Sequence, residues 1–148
     1  MTTEMRNRTD GEQDVEANKA LARQFIDEVF IHGRLDAVDR LAADDFTPHT
    51  FGPLPPGREP LKQAMAHVAD GISDPEFVIE DVIAEGDRVA IRLTSSATHT
   101  GTFMGVPASG NRYTIEEIHI FAIRDGQLAE HWHAFDRAAL MEQLKPKA

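Results

Sequence analysis

The chain has 148 residues, of which 41% are hydrophobic, and this composition fits one globular domain with a core of its own. A formal net charge of −10 argues against nucleic acid as a partner, because nucleic-acid binding depends on clustered Lys and Arg. The chain contains no cysteine, which excludes disulfides and cysteine-bound zinc. No run approaches the ~20 apolar residues of a membrane span, and the first residues lack the apolar core of a signal peptide. We therefore expect a cytoplasmic protein without a membrane partner.

The first half of the chain has mainly helical periodicity. Residues 1–14 are polar without an apolar period, so we expect a disordered leader ahead of a single domain over residues 15–148. Apolar residues at helical spacing predict a first helix from about Val15 to His32 and a short second helix from Leu35 to Ala42. A third helix is predicted from Leu61 to Ile72.

The second half of the chain has the alternating periodicity of strands. A short extended segment is predicted over Phe46–Phe51, and the segments Phe77–Ala84 and Arg88–Thr100 are predicted strands with a hairpin turn between them. Helices that mostly precede the strands indicate an α+β fold, with N-terminal helices packed on a strongly curved, mainly antiparallel sheet. Such a sheet forms a cone with an internal pocket, and ligands generally occupy hollows of this kind.

The most informative stretch runs from Tyr113 to Asp136. Alternating residues up to Ile123 predict a strand, and Asp125-Gly126 favours a two-residue hairpin turn because both residues tolerate positive φ angles. The chain then returns as a second strand. One face of that strand carries Ala129, His131, His133 and Phe135, and the other carries Leu128, Glu130, Trp132 and Ala134.

Three imidazoles and one carboxylate share one face of this predicted hairpin. Glu117 and His119 alternate on the first strand, and His131 and His133 lie side by side on the second. Unpaired buried polar groups are costly, so this face would be an unusual choice for a plain core. We interpret it as the polar wall of a pocket, and the alternative is histidines that are hydrogen-bonded within the sheet.

Other candidates for ligand contact lie outside the hairpin. His99 ends the buried face of a predicted strand and is expected at a cavity mouth. The glycine-rich loop that follows carries Phe103 and Met104, which either close over a ligand or plug the open end of the sheet. His49 is predicted to reach the pocket from the helical side. Asp136 is expected to cap the last helix rather than to take part in catalysis.

Four short motifs, in this order and spacing, resemble a known family. They are Thr98-His99-Thr100-Gly101, Gly105-Val106-Pro107-Ala108-Ser109-Gly110, Ile120-Phe121-Ala122-Ile123-Arg124-Asp125-Gly126 and Glu130-His131-Trp132. The chain resembles the SnoaL-like polyketide cyclases, also called ester cyclases, over about residues 18–144. This family lies within the α+β cone superfamily that includes ketosteroid isomerase and scytalone dehydratase.

The resemblance implies an activity and an assembly. It implies a homodimer or homotetramer whose subunits enclose an apolar pocket and close a polyketide ring by intramolecular aldol condensation, without metal or cofactor. The family's acid/base aspartate corresponds to His133 in this chain. The supporting histidines correspond to His119 and His131, and a family amide corresponds to Glu117. A small hydrophobic, polycyclic or enolisable substrate is therefore expected.

Histidine at the aspartate position keeps acid/base chemistry available. An aldol closure needs a base for a proton next to a carbonyl and an acid for the alkoxide that forms, and imidazole can serve as both near neutrality. Glu117 is placed to orient an imidazole. Two alternatives use the same cone: an isomerase or dehydratase with these acid/base groups, and a non-catalytic module that sequesters a small hydrophobic molecule.

A metal site is a further alternative for the same residues. Two imidazoles on one strand face, His131 and His133, can chelate an ion, with Glu117 or His119 as a third ligand. The family resemblance implies no metal, and we therefore predict none.

Overall fold

The structure of this chain is a computed structural model that describes residues 2–49 and 54–146, with side chains from residue 14 onward. Within these ranges, no helix combines the length and the apolarity that crossing a membrane requires. The elements in chain order are α1 (Thr2–Phe25), a π-helix (Ile26–Ile31), α2 (Ala37–Leu41), β1 (Ala42–Pro48), α3 (Arg58–Gly71), β2 (Ile72–Glu85), β3 (Arg88–His99), β4 (Arg112–Arg124), β5 (Gln127–Phe135) and α4 (Arg137–Leu144).

Helix α1 starts earlier than the sequence predicted. It begins at Thr2 and runs through the segment expected to be a disordered leader, whereas the predicted helix began at about Val15. A nucleated helix gains one hydrogen bond for each added residue, so polar residues without an intervening proline can continue it. The division of the chain at residue 15 stays a prediction.

The five strands form one open sheet in the order β1-β5-β4-β3-β2. All neighbouring pairs are antiparallel except β1 and β5, which are parallel. The predicted extended segment near Phe46 is thus an edge strand, Ala42–Pro48, beside the last strand of the chain. The predicted α+β fold is confirmed: four α-helices pack on a five-stranded, mainly antiparallel sheet that does not close into a barrel.

The β4–β5 hairpin forms at the predicted turn. Asp125 (φ 54°) and Gly126 (φ 74°) both adopt the positive φ angles that this turn requires. A β-bulge then shifts the register between Ala122 and Ile123. The bulge returns Leu128 to the inner face of the sheet, where it is fully buried, so its predicted position on the outer face is wrong.

Two apolar clusters fill the space between the helices and the inner face of the sheet. The first core cluster joins α1, the π-helix, α2 and α3 to the sheet around Phe25 and Phe121, both fully buried. The second core cluster joins α4 and the loop between β3 and β4 to the other end of the sheet, around Tyr113 and Leu140. Strand β4 crosses both clusters.

Helix α4 begins as the sequence predicted. The carboxylate of Asp136 accepts a hydrogen bond from the backbone N–H of Ala139 at 2.9 Å. Side-chain caps of this kind satisfy backbone donors that have no partner within the helix. Asp136 therefore has a structural role.

Candidate functional site

Strands β4 and β5 bring four ionisable side chains together on the inner face. His119 lies directly opposite His133 in the hairpin, and Glu117 and His131 are two residues away on their own strands. Directly opposed residues make side-chain contact, and diagonal neighbours stay within reach of aromatic rings. We call Glu117, His119, His131 and His133 the polar cluster.

The polar cluster lies at the boundary between the two core clusters. Along β4, Ile115 packs with the second core cluster and Phe121 belongs to the first, and Glu117 and His119 lie between them. Apolar surroundings lower the local dielectric, which strengthens interactions among the charges and dipoles of the cluster.

One carboxylate oxygen of Glu117 faces two imidazoles. Its Oε1 lies 2.5 Å from Nε2 of His133, a hydrogen bond, and 3.2 Å from Nε2 of His119. The second contact is within ion-pair distance, but its direction is poor for a hydrogen bond, and among the described residues Nε2 of His119 has no hydrogen-bond partner. Burial alone would raise the pKa of Glu117, yet the two imidazoles outweigh burial and hold this pKa well below its usual range. Glu117 is therefore an ionised carboxylate at neutral pH.

His119 and His131 form the second link of the cluster. Nδ1 of His119 lies 2.9 Å from Nε2 of His131, and the two rings are nearly parallel, with 6° between their planes. Burial lowers the pKa of His119, although the charge of Glu117 opposes this effect. Burial and the neighbouring imidazoles hold the pKa of His131 well below its usual range. Both rings are therefore neutral at neutral pH.

The side chain of His133 is more exposed than those of Glu117 and His119. Its side chain is 15% exposed, compared with 10% for Glu117 and 2% for His119. His133 is consequently the imidazole best placed to meet a ligand.

An apolar cavity of about 230 Å³ lies between the π-helix, α3 and the start of β2. Its lining includes Val29, Met65, Val68 and Ile72. The histidines of the polar cluster do not line this cavity, so the predicted polar wall is not formed by direct contact. Phe30 connects the two features, because it lines the cavity and its ring lies 5.5 Å from that of His119.

The polar cluster also contains donors that divalent metals use. One atom from each of Glu117, His119 and His133 lies within 4.8 Å of the others. An imidazole lone pair lies in the ring plane, and the rings of His119 and His133 are nearly parallel (13°) with centroids 4.0 Å apart. Lone pairs that lie in two separate, nearly parallel planes do not point at one common ion. The rings would therefore have to turn before all three groups could bind a metal. This set also differs from the predicted chelating pair, His131 and His133.

His99 does not join the polar cluster, and it is fully buried rather than at a cavity mouth. Its Nδ1 accepts from the backbone N–H of Ser109 at 3.2 Å and lies 2.8 Å from the Ser109 hydroxyl, and its Nε2 lies 3.0 Å from the carbonyl oxygen of Val106. Both ring nitrogens therefore bind the loop between β3 and β4. The prediction of a ligand contact overlooked this loop because it folds back over the strand end.

Phe103 and Met104 belong to the second core cluster. The Phe103 ring stacks on that of Tyr113 with 5.9 Å between centroids, and Phe103 forms an isolated β-bridge with Val106. Neither residue lines the 230 Å³ cavity. Of the two predicted roles, the structure favours the plug of the sheet end over closure onto a ligand.

His49 lies on the outer face of the sheet and does not approach the polar cluster. Its backbone N–H donates to the carbonyl oxygen of His131, which extends the parallel β1–β5 pairing. Its ring stacks on Trp132 at 4.6 Å and contacts the Glu130 carboxylate at 2.9 Å. The predicted approach to the pocket is wrong because the direction of β1 turns this side chain toward Trp132.

Two residues of the site region were not predicted as functional. Phe30 looked like a core position of an amphipathic helix, and nothing in the sequence marks the π-helical turn that carries it. Tyr113 was recognised as part of the alternating face, but not as a neighbour of the charge on Glu117. Burial and that charge raise the pKa of Tyr113 to about 12, so its phenol stays protonated at neutral pH.

The open curved sheet, the helices on its inner face and the polar cluster beneath them define an α+β cone domain. The family model of the SnoaL-like polyketide cyclases matches residues 20–144. The chain therefore belongs to the SnoaL-like polyketide cyclase family, as the sequence motifs predicted.

Solved structures and a curated enzyme show the same relationship. TsrD from Streptomyces laurentii is 27% identical, with a TM-score of 0.81 over 89% of this chain and 97% of that chain. A protein described as a SnoaL-like polyketide cyclase from Jannaschia sp. CCS1 is 25% identical, with a TM-score of 0.83 over 90% of this chain and 95% of that chain. Aklanonic acid methyl ester cyclase DnrD of Streptomyces peucetius is 37% identical over 46 residues, which are 31% of this chain and 32% of that enzyme. The match spans about a third of the curated relative.

Proposed function

We propose that this protein is an enzyme of cyclase type that removes a proton next to a carbonyl group of a small hydrophobic substrate, with His133 as acid and base. The observation that supports the proposal is the 2.5 Å contact between Nε2 of His133 and the ionised Glu117. An apolar cavity is connected to the polar cluster through Phe30, which contacts His119. A carboxylate hydrogen-bonded to one imidazole nitrogen orients the ring and stabilises the cation that forms when the other nitrogen takes a proton.

The proposed reaction is an intramolecular aldol condensation. The imidazole of His133 takes the proton from carbon, and the electrons of the C–H bond form an enolate. The enolate carbon bonds to a second carbonyl carbon of the same molecule, whose oxygen becomes an alkoxide. His133 then returns its proton to that oxygen, so the steps balance with protons alone and call for no metal or cofactor.

The proposed substrate is enolisable and largely apolar. The cavity of about 230 Å³ lies at the small end of ligand sites, and it accepts one or two rings in its present form. Phe30 contacts both the cavity and His119, so a ring system that displaces this side chain would approach the polar cluster. Isomerase and dehydratase reactions begin with the same proton removal, and the test below detects this shared step.

Proton removal can be measured without the natural substrate. We expect the protein to accelerate the exchange of α-protons of β-tetralone for deuterium in deuterium oxide, followed by proton NMR. His133→Ala should lower the exchange rate by at least about 100-fold, the usual contribution of a general base. His49→Ala is the matched control, because it removes a histidine from the outer face, and it should leave the rate unchanged.

Equal exchange by the wild-type protein and His133→Ala would contradict the assignment of His133. Binding of β-tetralone without accelerated exchange would contradict the enzymatic proposal and support the alternative of a small-molecule-binding module. Elemental analysis of the active protein accompanies the assay, because a stoichiometric metal would overturn the proposed metal-independent chemistry.

The homodimer or homotetramer implied by the motifs is part of the same proposal. Ile118 and Ile120 are exposed on β4, and Val78 and Ile83 are exposed on β2. Apolar side chains on a sheet surface are typical of contacts between subunits. The cytoplasmic location likewise stays a prediction.

A further inference from the structure

The four side chains of the polar cluster contact one another in series. His131 contacts His119 at 2.9 Å, His119 contacts Glu117 at 3.2 Å, and Glu117 contacts His133 at 2.5 Å. Of its three histidines, only His133 has a role in the proposed reaction. His119 and His131 are 1% and 8% exposed, so a substrate at His133 does not reach their ring nitrogens directly.

The contacts within the polar cluster determine which ring nitrogens carry protons. Glu117 is an ionised acceptor, so the two nitrogens that face it, Nε2 of His133 and Nε2 of His119, interact favourably only when each carries a proton. A neutral His119 with a proton on Nε2 has a lone pair on Nδ1. That lone pair must accept from Nε2 of His131, which therefore carries the proton of the 2.9 Å contact.

The packing of the rings keeps this arrangement in place. The rings of His119 and His131 lie within 7° and 11° of the plane of Phe121, with centroids 6.2 and 4.7 Å from it. The ring of His119 also lies 4.0 Å from that of His133. A parallel stack of this kind restrains rotation of each imidazole about its χ2 angle. A flip of the His119 ring would break its hydrogen bond with His131 and move Nε2 away from Glu117.

We propose that His119 and His131 are positioning residues, each held in one neutral tautomer, which keep a single negative charge on Glu117 and so place the proton of His133 on Nε2. This inference rests on the proposed role of His133 as the base. Its consequence is that Nε2 of His133 stays bonded to Glu117 while the ring exchanges a proton with the substrate. His119 and His131 exchange no proton with the substrate in this scheme.

Two substitutions of His131 separate its hydrogen bond from its shape. His131→Phe keeps a planar ring in the stack with Phe121 and Phe46 but removes the N–H donor. His131→Gln restores an N–H donor at about the position of Nε2. Ring-nitrogen NMR near neutral pH reads the tautomers of the histidines, and β-tetralone exchange gives kcat and KM separately.

The expected wild-type spectrum shows His119 and His131 protonated on Nε2 alone, and His133 with a proton on Nε2. His131→Phe should disturb the tautomer of His119 and lower kcat about tenfold, roughly 1.4 kcal/mol, with KM within about twofold. His131→Gln should keep the His119 tautomer and most of kcat. A doubly protonated His119 in the wild-type protein, or wild-type kcat in His131→Phe, would overturn the inference. The wild-type spectrum needs no variant and no catalysis, so its result is independent of whether His133→Ala refutes the proposed function.

Discussion

Glu117 is the residue on which the candidate site depends, because it is a buried carboxylate that remains ionised. Its negative charge lies next to the imidazoles of His133 and His119, and not next to an Arg or Lys side chain of the polar cluster. This choice leaves the cluster with one net charge that responds to protonation of its imidazoles. The acid/base chemistry and the pH dependence of folding therefore arise from the same side chains.

Acidification should destabilise the folded protein in two stages. The folded-state pKa values of His119 and His131 lie below that of an unfolded histidine, so the unfolded chain binds more protons as pH falls below about 6.5. The free energy of unfolding should then decrease by up to about 1.4 kcal/mol per pH unit for each histidine. Glu117, whose folded pKa is lowered, contributes stability above about pH 4.5 that is lost at lower pH.

Urea denaturation between about pH 7.5 and 5.5 measures the first stage of this loss. His131→Phe removes one of the two histidines and should give a shallower decrease. A free energy of unfolding that stays constant or rises on acidification would show that the two buried imidazoles are not neutral in the folded protein.

Sequence alternation predicted which residues share a face, but not which atoms they contact. It placed Glu117 with His119 and His131 with His133, and the register confirms both pairs. The link between His119 and His131 joins diagonal neighbours, and its direction depends on ring packing that the sequence does not show. His99 was misjudged for a similar reason, since a loop that follows it in the chain folds back to cover it.

At the scale of elements, the loop between β3 and β4 is fixed by one histidine and one serine. The Ser109 hydroxyl contacts Nδ1 of His99 at 2.8 Å and accepts from the backbone N–H of Asn111 at 3.2 Å. His99 in turn holds Val106 through its other nitrogen. These bonds attach the loop, with its plug residue Phe103, to the end of β3.

Ser109→Ala should therefore lower the free energy of unfolding by about 1 kcal/mol, because it removes the hydrogen bonds of the hydroxyl with His99 and Asn111. Amide hydrogen exchange in residues 101–110 should accelerate in the same variant. Ser96→Ala is the matched control, since its hydroxyl bonds Thr114 at 2.8 Å on the exposed face, and it should cost less than about 0.5 kcal/mol. Equal losses in the two variants would refute a special role for Ser109.

Element types were easier to predict than their irregularities. The third helix, the β4–β5 turn and the cap at Asp136 follow from local patterns and are confirmed. The bulge beside Ala122 moves Leu128 to the other face, and the end of the first predicted helix is a π-helix over Ile26–Ile31. Both irregularities insert an extra residue into a regular element, and periodicity gives no sign of such an insertion until the partner element is known.

At the scale of the whole molecule, two core clusters fill the space between the helices and the sheet, and the polar cluster lies between them. The order of the elements was sufficient to predict an α+β cone. The parallel pairing of β1 with β5 was not predicted, because it joins segments about 80 residues apart and β1 is short. The cavity follows from how α3 and the π-helix pack, so its position could not be read from the sequence.

The central claim is that a ligand in the apolar cavity places its enolisable carbon at His133. The most direct measurement is the set of intermolecular NOEs between β-tetralone and the protein. We predict NOEs from the ring protons of the ligand to Phe30 and Val68, and from the protons beside its carbonyl group to His133. NOEs confined to residues remote from the polar cluster, such as Trp132 on the outer face, would contradict the claim.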